Sequence, residues 1–175
     1  MAVRRIVQAR KKARDLLAEA KVKLPPVPVE QLAVFKGAEV HYEPFSGELS
    51  GMVHRQPTGK AVIGVNALHS PTRQRFTIAH ELGHLVLHQN EQFHVDENSP
   101  IGFRNFLSSQ AVNSDEIEAN QFAAELLMPT YLLKAEIEKI PANTGTEDAI
   151  AKLAEIFEVS EQAMTFRLSG LGFLA

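Results

Sequence analysis

Residues 76–88 read FTIAHELGHLVLH. His80, His84 and His88 fall four residues apart, and Glu81 directly follows the first. An α-helix turns once every 3.6 residues, so the three rings share one stripe of an otherwise apolar helix. Burying polar rings without partners is costly, so either neighbouring side chains or a metal ion must satisfy them. Ser70-Pro71 supplies a helix start, with Ser as N-cap and Pro in the first turn, and the predicted helix runs over 71–89.

His-Glu-x-x-His on a helix has a mechanical reason to bind zinc. Imidazoles at i and i+4 reach a single ion, and the glutamate between them is placed to take a proton from a water activated there. With this chain's histidine and glutamate content, chance alone yields about one such match in forty chains, so the pentad needs support.

Support comes from residues 116–128, EIEANQFAAELLM. A catalytic zinc keeps three protein ligands and an open fourth place, so a third donor is required. Glu116 would supply it, from a first helical turn whose macrodipole favours a charged carboxylate. Asn120 lies one turn later on the same face, where it could hydrogen-bond a ligating histidine and fix its tautomer. Ala123 and Ala124 leave room for close helix packing, while Glu118 is read as facing solvent or pairing with a cation. A fourth protein ligand would close the site, so His88 is read as a group behind the ligands or beside the substrate, or as a structural histidine. The competing reading is a buried histidine–carboxylate network with no metal.

Around this pair of helices the chain reads as α+β. Residues 2–22 form a predicted helix, ended by the proline-rich LPPVPV, and 29–36 a short one closed by Gly37. Three runs of strand character follow, AEVHYEPF, LSGMVHRQ and KAVIGVN, separated by Gly47 and a PTGK turn. They predict a small antiparallel three-stranded sheet packed on the histidine helix. Residues 90–113 lack periodicity, and a loop of that length is a candidate gate for the cleft. Helices are predicted over 114–127, 129–139, 147–157 and 161–168. The whole, 1–175, is expected to be a single domain, divided into a basic N-terminal helix (1–24), a catalytic core (25–128) and C-terminal helices (129–175).

Composition narrows the setting. The 175 residues include no cysteine, which excludes disulfides, thiolate zinc sites and thiol catalysis, and makes the cytoplasm the expected compartment. Neither a membrane span nor an apolar leader segment is expected. The net charge of −3 is uneven: residues 1–24 carry eight Lys/Arg against Asp15 and Glu19. Such an arm can contact nucleic acid, but no aromatic platform is interleaved with it. Packing on the body through Val3, Ile6, Val7, Leu16 and Leu17 is therefore the expectation. Residues 153–168, LAEIFEVSEQAMTFRL, have the look of a helix-turn-helix. Arg167 is the one basic residue there, amid Glu155, Glu158 and Glu161, so a packing or docking hairpin is expected and direct nucleic-acid binding is not.

RQRFTIAHELGHLVLH followed by EIEANQFAAELLMP resembles the ImmA/IrrE family of bacterial and phage metallopeptidases. VPVEQLA, the LSG and AVIGVN strands and AEIFEVSEQAMTFRLSGLG also fit that family's outline, so the resemblance covers roughly residues 25–172. It implies a minimal zincin-like, gluzincin-type fold in which His80 and His84 ligate zinc, Glu81 is the catalytic acid/base and Glu116 is the third ligand. E-x-x-x-N here parallels the E-x-x-x-D of thermolysin-like enzymes, with Asn120 polarising its histidine less than an aspartate does. The implied partner is a protein substrate, a transcriptional regulator such as a repressor of mobile elements or stress genes. Zinc is the expected cofactor and manganese the alternative. The alternative function is a non-hydrolytic, zinc-stabilised module that binds a repressor, an antitoxin-like partner or DNA. For the oxyanion, His88, His94, Arg73 and Tyr131 are all candidates.

Overall fold

The computed structural model describes residues 2–46, 49–88, 93–96 and 114–174. Along the chain these form α1 (Ala2–Glu19), α2 (Val29–Phe35), β1 (Ala38–Glu43), β2 (Gly51–Arg55), β3 (Ala61–Asn66) and α3 (Pro71–Leu87). They continue with β4 (Phe93–Asp96), α4 (Ser114–Leu127), α5 (Thr130–Ile137), α6 (Thr146–Phe157) and α7 (Glu161–Gly170). The α+β class holds, and the sheet differs from expectation in two respects.

First, its strand order is β1-β3-β2-β4, with β1 parallel to β3 and the other two pairs antiparallel. Consecutive strands do not simply lie side by side. The reason is burial: β3, AVIGVN, is apolar nearly throughout and takes the interior of the sheet, whereas β1 alternates into Glu39, His41 and Glu43 and takes an edge. Placing β3 between β1 and β2 makes it antiparallel to its hairpin partner and parallel to β1. Second, β4 is an added strand within the stretch expected to lack structure. A four-residue strand in a polar stretch carries almost no periodic signal. The rest of 90–113, like Gly47, lies outside the described residues.

The sheet lays Val53, Ile63 and Val65 against Ile78 and Leu82 of α3, all buried. Phe122 and Leu126 of α4 extend this core, and Ala9, Ala13, Leu16 and Leu17 of α1 close it. Val3 and Val7 are exposed instead of packed, because they fall off the helical stripe defined by residues 9, 13 and 16. Arg5 pairs with Asp115, Arg10 with Gln121 and Arg14 with Glu125, so α1 runs alongside α4 in the same direction and directs much of its basic charge there.

At the other end, Leu153 and Phe157 of α6 meet Met164 and Leu168 of α7. Ser160 caps α7 through its hydroxyl, which accepts from the Ala163 N–H at 3.1 Å. Arg167 is buried, donating to Glu125 at 2.6 Å and to the Met128 carbonyl at 3.0 Å. Its guanidinium is thereby fixed inside the fold. No helix among the described residues is long and apolar enough to cross a membrane.

Candidate metal centre

Helix α3 carries the histidine stripe into the interior. Pro71 sits in its first turn, although Ser70, at the N-cap, makes no side-chain cap to the backbone. At the far end, Arg55 of β2 donates to the His84, Leu85 and His88 carbonyls at 3.1, 2.8 and 3.1 Å. The His84 carbonyl also accepts from the His88 N–H at 3.0 Å, and with these bonds Arg55 ties the last turn of α3 to the sheet. His80, Glu81 and His84 are all buried, Glu81 completely.

Close approach of two helices then delivers the carboxylate. A Cβ on Gly83 would stand 3.1 Å from the Ala119 Cα and 3.2 Å from the Ala119 carbonyl and the Phe122 ring. The absence of a side chain at Gly83 lets α4 cross α3 this tightly. Glu116, one turn before Ala119, thereby reaches the two histidines: its carboxylate oxygens lie 3.2 Å from His80 Nε2 and 3.2 Å from His84 Nε2. The two Nε2 atoms are 3.1 Å apart. Asn120 Oδ1 lies 3.0 Å from His80 Nδ1. An Nδ1–H donated there leaves the Nε2 lone pair facing Glu116.

Behind His84 stands His88, their Nδ1 atoms 3.1 Å apart. The other nitrogen of His88 lies 3.4 Å from Glu118 Oε2 and 3.9 Å from Asp115 Oδ1. Arg5 of α1 pairs with both carboxylates, donating to Asp115 at 2.6 Å. Glu118 is thus a buried ion-pair partner, and His88 backs His84.

By sequence His94 is one oxyanion candidate among four, and geometry separates them. His94 stacks on His84, with ring centroids 3.6 Å apart and planes 20° off parallel, and its Nε2 lies 3.2 Å from Glu116 Oε1. Tyr131 donates to the Val22 carbonyl at 2.7 Å, and Arg73 to Ser50 Oγ at 2.8 Å. His88 lies behind His84, as described. A histidine in an aperiodic polar stretch gives no sequence signal of such an approach, which depends on β4 pairing with β2.

Ligand atoms of His80, His84, His94 and Glu116 all lie within 4.8 Å of one another. Four donors at about 2.0–2.1 Å around a tetrahedral zinc stand about 3.3 Å apart. The spacings of 3.1–3.2 Å among His80, His84 and Glu116 match, and two imidazoles with one carboxylate form a borderline-soft set that suits zinc, whereas the His94 ring lies flat on His84 instead of aiming at the same point. Protonation agrees with this. Burial pushes the His84 imidazole down from 6.5 to about 4, so it is neutral and able to coordinate at neutral pH. For Glu116, burial raises the pKa, but its close contacts with His80 and His84 outweigh it and hold the carboxyl well below its ordinary range.

A helix bearing His-Glu-x-x-His, met by a carboxylate from a second helix on an α+β scaffold, is an arrangement found in zinc-dependent peptidases. The comparison with protein families agrees: residues 36–169 match the family model described as the IrrE N-terminal-like domain, a peptidase family, and the chain belongs to that family. The radiation response metalloprotease IrrE of Deinococcus radiodurans is 28% identical over 166 residues, covering 90% of this chain and 48% of that protein. The chain therefore spans about half the length of this curated relative. Among solved structures, a Mycobacterium tuberculosis transcriptional regulator aligns with a TM-score of 0.60 at 18% identity, over 93% of this chain and 46% of that one. That likeness shows a shared fold.

Proposed function

We propose that this chain is a zinc-dependent peptidase that cleaves a specific regulatory protein, such as a repressor, in the cytoplasm. The observation that carries the reading is the convergence of His80, His84 and Glu116 within 3.2 Å of one another, with Glu81 buried beside them. Membership of a peptidase family and likeness to a metalloprotease support it.

His80, His84 and Glu116 would hold the ion. When bound, zinc supplies Lewis acidity, polarising a peptide carbonyl and acidifying a water molecule. Glu81 accepts the proton from the attacking water and passes it to the leaving nitrogen. Its burial keeps bulk water away from that exchange. Asn120 and His88 hold the two ligating rings in orientation through their Nδ1 atoms, and the Asp115–Glu118–Arg5 group steadies His88.

Incubation with the transcriptional regulator encoded beside this chain tests the reading. Wild type with zinc should cleave it, and Glu81→Gln should bind zinc equally well while cleavage falls at least about a hundredfold. Cleavage that survives Glu81→Gln would refute the hydrolytic assignment. One observation favours a second reading, a zinc-stabilised module that binds its partner without cutting it: the His94 ring lies against His84 and Glu116, inside the cluster that a substrate would have to reach.

A further inference from the structure

Arg5, Arg10 and Arg14 reach across to α4, and Lys11 pairs with Asp15 on its own helix at 2.8 Å. Arg4 and Lys12, both exposed, take part in no such pair among the described residues. With Gln8 between them they form one stripe of α1, at i, i+4 and i+8. That stripe is one wall of a 390 Å³ cavity. The last turn of α3, at Val86 and Leu87, is the other wall, and the fully buried Ala9 lies at the base. Lys12 and Val86 also line a second cavity, of 560 Å³, so the two join into one groove between α1 and the end of α3. In this second part the apolar base continues through Leu16 and Leu85, and Lys60 of the β2–β3 turn stands on the rim.

The charge of the groove is one-sided once its ion pairs are set aside. Glu118 is held by Arg5, Glu19 by Lys36 at 2.7 Å and Asp15 by Lys11. Every acid that lines it is thus compensated. Arg4, Lys12 and Lys60, the last at 3.6 Å from the exposed Glu39, leave a row of positive charge. Length and lining then choose among anionic occupants. From Arg4 to Glu19 the helix rises about 22 Å, the span of about six or seven extended residues. No aromatic ring lines either cavity to stack a base, whereas aliphatic side chains line both. Val3 and Val7, exposed on the outer side of the stripe, extend the apolar contact beyond the groove.

We infer that this groove is a docking site for an acidic, extended segment of a partner protein, its carboxylates on Arg4, Lys12 and Lys60 and its small apolar side chains on the aliphatic base. The groove is separate from the donor cluster and abuts it from behind: Glu118, at one end, lies 3.4 Å from His88, which backs His84. A partner held there is tethered beside the metal centre without occupying it, so another segment of the same partner meets the centre at raised local concentration. That the partner is then cut rests on the peptidase reading; the docking does not. On that reading the substrate class is a regulator with an acidic stretch apart from its cleavage point.

The test follows the fluorescence anisotropy of a labelled peptide alternating glutamate with alanine, long enough to span the groove, as the full chain is added. Wild type should bind it, more weakly as salt rises, and Arg4→Glu with Lys12→Glu should lower affinity more than about tenfold. The same charge reversal at Lys23 and Lys134, exposed and outside the groove, should leave affinity within about twofold. Circular dichroism should show both variants folded. No binding at low salt, or an equal loss in the two variants, would overturn the inference. Tighter binding of an oligothymidylate of equal length would also overturn it, because the groove would then be a nucleic-acid site. So would self-association of the chain that the Arg4 and Lys12 reversals abolish, which would make it an interface between copies. If the peptide binds as expected but no protein is cleaved, the docking site stands and the peptidase reading fails.

Discussion

At the scale of single residues, chemistry is concentrated in groups whose neighbours set their protonation. The depressed His84 pKa has a consequence for the protein stripped of metal. The unfolded imidazole titrates near 6.5 and the folded one near 4, so between those values the unfolded chain binds more protons. Stability is then complete above about pH 6.5 and declines as pH falls, by up to about 1.4 kcal/mol per pH unit for this one group. Urea midpoints from pH 7 to 4.5 in the presence of chelator should follow that slope, and a flat profile would contradict it. Asn120→Ala removes the acceptor of His80 Nδ1, and zinc affinity should drop about 10–100-fold with the fold intact by circular dichroism. His80 with His84, and Glu116 with Asn120, were legible because helical spacing puts each pair on one face, and Glu81 because it directly follows the first histidine of the pentad. The place of His94 was not, since nothing local to FHVD encodes which strand it will join. Arg55 was equally silent, as its bonds to the end of α3 exist only after β2 and α3 have packed.

At the scale of elements, the site depends on how closely α3 and α4 cross. Gly83→Val would drive a branched side chain into Ala119 and Phe122. It should cost about 1–3 kcal/mol of stability and weaken zinc binding together, because Glu116 moves with α4. A stable variant with wild-type affinity would show that the crossing does not set the carboxylate's position. A second joint lies at α7, where Arg167→Ala leaves Glu125 buried beside Arg14, a more distant cation. Chemical denaturation should report a loss of about 3 kcal/mol or more. Strand order was harder to foresee than strand position. AVIGVN and AEVHYE both read as strands, but that AVIGVN takes the interior follows from comparing their burial, which a pairwise hairpin rule ignores.

At the scale of the whole molecule, the basic N-terminal segment has a structural use that its charge alone conceals. Arg5, Arg10 and Arg14 reach polar and acidic side chains of α4, and Leu16 and Leu17 are buried in the core. Deletion of residues 1–22 should therefore lower the thermal midpoint sharply and impair zinc binding through Asp115, Glu118 and His88. A truncated protein that keeps full stability and zinc affinity would return α1 to the role of a free basic arm. The same network links the first helix to the back of His84, so sheet, α1, α3 and α4 converge on one cluster of donors. Zinc content of the purified protein, measured by mass spectrometry for wild type and Glu116→Gln after dialysis against a weak chelator, bears on that convergence most directly. About one zinc per chain in wild type and little in the variant is the predicted result; a wild type that retains none, or a variant that retains as much, would contradict it.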